Sequence, residues 1–219
     1  FGPSDEVGCF ELTEDGICEV TDPSGLFTSL HSEPSPGTCL SIALAGRRPL
    51  LTEVQALVAP SAAPVPRRVT NGLDSGRVAM ILAVLERRAG VTLHTREVYA
   101  STVGGARVGD PAADLATAVA VASAAYDRSF ARPVVALGEV GLSGELRRIP
   151  AADRRLAEAA RLGFSVALVP RGTNAQPISG FRIMEVGSVA SALQVLGLGS
   201  GREREHHAAA RLSVVEEAG

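Results

Sequence analysis

Residues 103–126 have the sequence VGGARVGDPAADLATAVAVASAAY and combine three structural signals. Gly104-Gly105 predicts a tight turn, because glycine adopts left-handed backbone conformations without a steric penalty. Asp110-Pro111 is typical of a helix start, where the aspartate caps free N–H groups and the proline occupies the first turn. The Ala- and Val-rich run that follows, to about Tyr126, is apolar on nearly every side. The stretch therefore predicts a turn followed by a buried helix.

Around this stretch, apolar runs alternate with amphipathic segments. Asp74 caps a predicted helix over 75–89, with Gly90 as its stop, and further helices are predicted over 150–163 and 188–196. Strands are predicted over 39–44, 51–58, 94–103, 134–137, 166–169 and 181–185. Because strands and helices are intermixed along the chain, we predict an α/β fold.

Charge is distributed unevenly along the chain. Residues 1–46 contain eight acidic residues and no arginine, which gives −8, whereas residues 47–199 contain 18 arginines and 12 acidic residues, which gives +6. Apolar runs on either side of Asp15-Gly16 predict a β-hairpin, and a Pro-, Ser- and Gly-rich stretch at 32–37 marks a boundary. We therefore divide the chain into a hairpin segment with a linker (1–37), a globular domain (38–198) and a polar tail (199–219).

Several function classes are excluded by composition. All 21 basic residues are arginine, so this chain cannot supply the lysine of a P-loop, of a Ser–Lys hydrolase or of a pyridoxal Schiff base. Cys9, Cys18 and Cys39 lack the close spacing and the histidine partners of a zinc or redox site. No apolar run reaches the roughly 20 residues of a membrane helix. We expect a cytoplasmic location, no membrane partner, no metal and no cofactor in this chain.

Three motifs occur in order along the domain. They are TNGLD at 70–74, VGGAR at 103–107 followed by DPAADLA at 110–116, and GEVGLSGELR at 138–147. Together they resemble the C-terminal part of the RadA (Sms) family of bacterial DNA repair proteins, and the resemblance covers about residues 38–196. Phe1-Gly2 also matches the end of the family's KNRFG motif, which implies that residues 1–37 are the end of a RecA-like ATPase domain and a linker.

The resemblance implies a domain with the fold of the Lon proteolytic domain, a mixed sheet with packed helices. It also implies a longer protein that adds a zinc finger and a RecA-like ATPase domain, so ATP, Mg and Zn are expected as cofactors of that longer protein. The implied activity is an ATP-driven, helicase-like motor, such as branch migration, on single-stranded or branched DNA. The implied partners are the RecA recombinase and further copies in a homo-hexamer.

The Ser–Lys dyad of a Lon-type protease is absent at the positions that the resemblance assigns. The nucleophilic serine of the Lon P-S-A-G helix start corresponds to Ala112, and the lysine base corresponds to Asp153. An alanine has no nucleophilic oxygen, so we predict no peptidase activity. Ser143 does not complete a GxSxG motif, and we interpret it as a turn residue.

Five arginines are the candidate DNA-binding residues, and basic residues stand at corresponding places in the family pattern. Arginine suits this role because its planar group bridges phosphate oxygens and stacks on unpaired bases. The five lie in loops or at element ends, where ligand contacts concentrate: Arg68 before the 70–74 loop, Arg77 in the first turn of a helix, Arg107 after the glycine turn, Arg147, and Arg148 as a reserve.

Other interpretations of these arginines remain open. Arg77 could pair with Asp74 or another carboxylate, and Arg147 could be an ordinary strand-end charge. Arg87-Arg88 and Arg154-Arg155 are predicted on helix faces exposed to solvent or in subunit salt bridges. The alternative to DNA binding is a scaffold whose arginines serve subunit interfaces, and a hydrolase is a third hypothesis.

Overall fold

The computed structural model describes residues 10–13, 16–19 and 35–199. Strand β1 (Phe10–Thr13) pairs antiparallel with β2 (Gly16–Glu19), and Leu12 lies opposite Ile17. This pairing confirms the predicted hairpin. The predicted linker before residue 35 and the tail from residue 200 onward lie outside the described residues.

Nine further strands follow in the described part of the globular body. They are β3 (Thr38–Ala45), β4 (Arg48–Pro60), β5 (Arg68–Asn71), β6 (Arg96–Thr102), β7 (Val135–Ala136), β8 (Glu139–Val140), β9 (Leu146–Arg147), β10 (Val166–Pro170) and β11 (Arg182–Val186). Seven of them form one sheet in the order β11-β10-β7-β3-β4-β6-β5, while β8 and β9 form a small antiparallel pair.

The strand directions determine which loops lie together at each side of the seven-stranded sheet. Only β4 runs antiparallel to its neighbours, and all other adjacent pairs in the seven-stranded sheet are parallel. Six strands therefore end at the same side of the sheet, which we call the carboxyl edge. The opposite side is the amino edge. Loops at a carboxyl edge are where open α/β sheets bind their ligands.

Four helices of the described residues pack on this sheet: α1 (Ser75–Arg88), α2 (Asp114–Tyr126), α3 (Ala152–Arg161) and α4 (Val189–Val195). Their starts follow the predicted caps, since Asp74 accepts a hydrogen bond from the Arg77 N–H at 2.7 Å and Asp110 accepts one from the Ala112 N–H at 3.0 Å. Helices α1, α2 and α4 share one apolar cluster, and α3 closes a second cluster with β3, β7 and β10. Residues 114–123 of α2 are all buried, as predicted. The α/β prediction with a mixed sheet is thus confirmed.

Two predictions are wrong. Residues 70 and 71 do not lie in a loop but in β5, a short strand that pairs in parallel with β6. Arg155 does not lie on an exposed helix face, because its side chain is only 1% exposed and points into the body. Its charge is compensated there by Asp110, at 2.7 Å.

Candidate nucleic-acid interface

The carboxyl edge gathers four of the five predicted arginines. Arg77 follows β5, Arg107 follows β6, and the pair Arg147-Arg148 follows β7 through the β8–β9 hairpin. Arg68 is separated from them, because it begins β5 at the amino edge. There its guanidinium donates to the carbonyl oxygens of Arg96 and, at 2.8 Å, of Leu93.

Arg77 forms a two-bond ion pair that joins the starts of α1 and α2. Its Nε donates to Oδ1 of Asp114 at 2.9 Å, and its Nη2 binds Oδ2 of the same carboxylate. The bond to Asp114 raises the pKa of Arg77. Asp114 also accepts the Val140 N–H at 3.1 Å, yet burial outweighs these bonds and raises the pKa of Asp114. The alternative that Arg77 pairs with a carboxylate other than Asp74 is confirmed.

Arg147 is held more loosely and remains 58% exposed. Its guanidinium lies 2.6 Å from the carboxylate of Glu145 and 3.5 Å from that of Glu139. Hydrogen bonds from the Ser143 hydroxyl and from Arg147 lower the pKa of Glu145 to about 2. The charge of Glu139 also raises the pKa of Arg77, so Arg147 and Arg77 belong to one charged network.

Arg107 differs from the other four candidate arginines because it has no polar partner among the described residues. It follows the turn Val103–Gly105, where Gly104 and Gly105 have φ angles of 68° and 69°, as the glycine pair predicted. Arg107 is exposed and makes no ion pair or hydrogen bond with any described residue. It borders a niche of about 70 Å³ against the end of β3. Val108 lines this niche and also the niche beside Arg77, so the two arginines flank one residue.

Arg148 has a single weak contact, a hydrogen bond at 3.4 Å to the carbonyl of Gly172 in the loop after β10. Its side chain is otherwise exposed. Arg107 and Arg148 are thus predicted site residues at the carboxyl edge whose guanidinium groups form no ion pair with a described carboxylate.

Further arginines at this edge, among them Arg47 and Arg154, were not among the predicted site residues. Arg47 lies in the β3–β4 turn, and Arg154 on α3 donates to the Arg47 carbonyl at 3.0 Å. Both are exposed, and Ala45, just before this turn, lines the Arg107 niche. The sequence contained a signal for Arg47, because Arg47-Arg48 lies in a predicted turn. Loop positions of this kind often contact ligands.

The two positions that the resemblance assigns to a Lon-type dyad are Ala112 and Asp153. Ala112 is completely buried, and Asp153 is an exposed carboxylate that accepts the Gln176 N–H at 3.3 Å. Beside Ala112, Asp110 binds Arg155, which also donates to the carbonyls of Pro150 (3.1 Å) and Ile42. Asp110 and Arg155 therefore form a buried ion pair beside Ala112.

The described residues contain no group of three or more His, Cys, Asp or Glu side chains placed to hold a metal ion. Cys39 is a buried free thiol, and burial raises its pKa far above the ordinary range. No helix in the described part of the chain is long and apolar enough to cross a membrane.

The motif resemblance agrees with comparison to known proteins. DNA repair protein RadA of Mycolicibacterium smegmatis is 49% identical over 196 residues, which are 90% of this chain and 42% of that protein. The chain is a relative of DNA repair protein RadA. RadA of Salmonella typhimurium is 41% identical over 196 residues (89% of this chain, 43% of that protein). RadA of Bacillus subtilis is 38% identical over 197 residues (89% and 43%).

This chain spans about two fifths of the length of the curated RadA relatives that it matches. No family model matches it. The similarity to RadA covers the globular body that contains the carboxyl edge, so the arginines described above lie within the matched region.

Proposed function

We propose that this chain is the part of a RadA-type DNA repair protein that contacts single-stranded or branched DNA through its carboxyl edge. The observation that supports the proposal is Arg107, an exposed guanidinium without a carboxylate partner among the described residues. Arg148 adds a second such group, and Arg47 with Arg154 extends the edge beyond the niche.

Backbone phosphates are the expected ligands of these arginines. An exposed guanidinium gives up only water when it binds a phosphate, and it forms charge-assisted hydrogen bonds there. Such contacts do not distinguish base sequences, so the binding should be sequence-tolerant and should weaken as salt increases. Each phosphate contact on a single strand contributes about 0.7 to the salt slope.

The arginines that form ion pairs within the chain, Arg77 and Arg147, have a different role in this proposal. Arg77 could reach a phosphate only by leaving Asp114, which would then be a buried charge without its cation, and this is costly. We therefore assign Arg77 to positioning the starts of α1 and α2. Arg147 is more exposed and can share its guanidinium between Glu145 and a phosphate.

The same proposal places this chain in a longer protein. There it would work beside a zinc finger and an ATPase domain that bind Zn, ATP and Mg, in a homo-hexamer that moves on DNA and assists RecA. These properties belong to the parent protein and rest on the family resemblance.

The test is single-stranded DNA binding by the full-length parent, measured by fluorescence anisotropy from about 50 to 200 mM salt. Arg107→Ala should weaken binding by about 3- to 10-fold, equivalent to about 0.7–1.4 kcal/mol, and should reduce the salt slope by about 0.7. Adding Arg148→Ala should weaken binding further. The matched control is Arg132→Ala, an exposed arginine in the loop before β7 at the amino edge, which should bind as the wild type does.

A scaffold is the second candidate, and one observation counts against DNA contacts at several arginines: Arg77, Arg147 and Arg155 are all held in ion pairs within the chain, which makes them less available to a phosphate. If Arg107→Ala with Arg148→Ala leaves DNA binding unchanged while the oligomeric mass is also unchanged, the carboxyl edge is not the DNA contact. Loss of the oligomer in these variants would instead support the scaffold.

A further inference from the structure

The Arg107 niche contains a buried hydroxyl that no described residue uses. The niche encloses about 70 Å³ between the end of β3, the start of β4 and the loop that carries Arg107. Its lining is mostly apolar, but Thr52 on β4 also lines it and is only 2% exposed. The Thr52 hydroxyl makes no hydrogen bond with a described residue. Buried hydroxyls are normally hydrogen-bonded, and the niche is the space from which a partner can reach this one.

A second hydroxyl stands beside that of Thr52. Ser41 on β3 is directly opposite Thr52 in the β3–β4 register, so both side chains point to the same face of the sheet. The Oγ of Ser41 is buried and has no hydrogen-bond partner in the described part of the chain. Two neighbouring hydroxyls without partners make this end of the niche suited to a ligand that carries a polar edge.

The backbone on both sides of Arg107 is fixed. The Thr102 hydroxyl donates to the Ala106 carbonyl, and the Val108 N–H donates to the Gly72 carbonyl at 2.8 Å. Between these anchored residues, the Arg107 side chain is exposed and makes no bond with a described residue. A ligand therefore meets a preformed wall and has to order little more than the Arg107 side chain, which keeps the entropic cost of binding low.

The size and the lining of the niche indicate the class of ligand. Three small side chains, Ala43, Ala45 and Ala106, leave the space open, and Thr52 is the polar side chain among the described lining residues apart from Arg107. A cavity of about 150 Å³ takes a whole benzene ring, so this niche admits one edge of a flat ring. A phosphate would need several N–H donors or cations around it. The edges of nucleobases carry donors and acceptors, and they are free when the base is unpaired.

We propose that the Arg107 niche binds one edge of an unpaired nucleobase. This inference rests on the proposed function: Arg107 binds a phosphate at the rim, a base of the same strand turns inward, and its edge reaches the Thr52 hydroxyl. A hydroxyl both donates and accepts hydrogen bonds, so Thr52 can bond the edge of any base. The contact favours single strands over duplexes and does not read the sequence.

The test compares oligo(dT) with an abasic oligonucleotide of equal length, by fluorescence anisotropy with the full-length parent at about 50 mM salt. Thr52→Val removes the hydroxyl and keeps the shape, whereas Ala43→Leu fills the niche. Each should weaken binding of oligo(dT) about 5-fold, as expected for the loss of one hydrogen bond or its equivalent. Each should leave binding of the abasic oligonucleotide unchanged. Arg107→Ala should weaken binding of both, because both carry phosphates.

The matched control is Thr117→Val. Thr117 is also 2% exposed, but its hydroxyl already donates to the Ala113 carbonyl at 3.0 Å, so this variant should bind both oligonucleotides as the wild type does. Circular dichroism and sedimentation show that each variant is folded and has the oligomeric mass of the wild type. Because Thr52→Val conserves the shape of the side chain, it decides the question even if Ala43→Leu does not fold.

The outcomes separate this inference from the proposed function. If Arg107→Ala weakens binding of both oligonucleotides while Thr52→Val binds oligo(dT) as the wild type does, the inference is wrong and the DNA contact at the carboxyl edge stands. If the niche variants weaken binding of both oligonucleotides equally, the niche holds the sugar–phosphate chain and the inference is also wrong. If Arg107→Ala changes neither affinity, the proposed function fails and this inference fails with it.

Discussion

Replacing Arg155 with methionine removes the cation of a buried ion pair that joins three elements. The guanidinium lies 2.7 Å from the Asp110 carboxylate and donates to carbonyls before α3 and on β3. Methionine has a similar apolar stem, so the substitution removes the charge and the hydrogen bonds while it leaves most of the packing. The free energy of unfolding of this variant therefore reports how much the pair stabilises the body.

The expected loss follows from burial. Arg155 is 1% exposed and Asp110 is 18% exposed, and removing one partner of a buried pair costs about 3–5 kcal/mol. Asp110 keeps the N–H groups of Leu44 at 3.2 Å and Ala112 at 3.0 Å and has some access to water. We therefore expect the lower end, about 3 kcal/mol, which for a body of this size lowers Tm by about 6–12 °C.

The assay is urea unfolding at pH 7 of four proteins: wild type, Arg155→Met, Asp110→Asn and the double variant. Each single variant leaves one buried group without its partner, so the double variant should be more stable than the sum of the two losses predicts, by at least about 2 kcal/mol. Arg154→Met is the matched control, since this exposed neighbour makes one bond to a carbonyl and should cost about 0.5 kcal/mol or less. A loss below about 1 kcal/mol for Arg155→Met, or losses that simply add, would refute the reasoning.

Three further outcomes are expected. Arg77→Ala should lower the free energy of unfolding by about 2–3 kcal/mol in urea titrations, because it leaves the buried Asp114 carboxylate without its cation. Gly72→Ala should cost more than about 2 kcal/mol, because at φ +74° its Cβ would lie 2.0 and 2.4 Å from two oxygen atoms; Gly90→Ala, at φ +70° with no atom within 4 Å, should cost only about 1 kcal/mol. Hydrogen bonds from two backbone N–H groups lower the pKa of Glu185 below 4.5. The ionised Glu185 therefore stabilises the folded protein above pH 4.5, and this stabilisation is lost as the pH falls through the lowered pKa of Glu185. The difference in Tm between wild type and Glu185→Gln should shrink from pH 6 to pH 3, and a constant difference would contradict this assignment.

Signals between neighbours in the sequence predicted most of the secondary structure. Asp74 and Asp110 cap helices because their side chains reach N–H groups two or three residues ahead. Strand β5 was missed because Val69 is its single apolar side chain, and the strand is stabilised by pairing with β6, about 30 residues further along the chain. Pairing over such distances leaves no local periodicity in four residues.

Arg155 shows a different kind of error, since the sequence did contain its signal. Ala159 lies four residues after Arg155 and Leu162 lies seven residues after it, so the three share one helix face. Ala159 is buried, and Leu162 packs against the same apolar cluster. The charge of Arg155 suggested an exposed position, but helical spacing placed it on the buried face, where Asp110 compensates it.

The candidate site could be predicted in its parts but not in its arrangement. Loop and element-end positions selected Arg77, Arg107 and Arg147 individually as candidates. Their common location at the carboxyl edge depends on the parallel direction of six strands, which is set by pairing between distant segments. The partner of Arg77 is likewise 37 residues away, in Asp114.

Arginines at this edge differ in the cost of binding a phosphate, and this difference can be measured. For Arg107, binding displaces water, so Arg107→Ala should lower DNA affinity and leave the free energy of unfolding within about 0.5 kcal/mol of the wild type. For Arg77, the bonds to Asp114 must break first, so any loss of DNA affinity in Arg77→Ala should accompany a loss of stability. Measuring both quantities for each variant therefore separates arginines that contact DNA from arginines that hold the edge in place. A large loss of DNA affinity in Arg77→Ala with unchanged stability would show that Arg77 binds DNA directly and that its pairing with Asp114 contributes little to the fold.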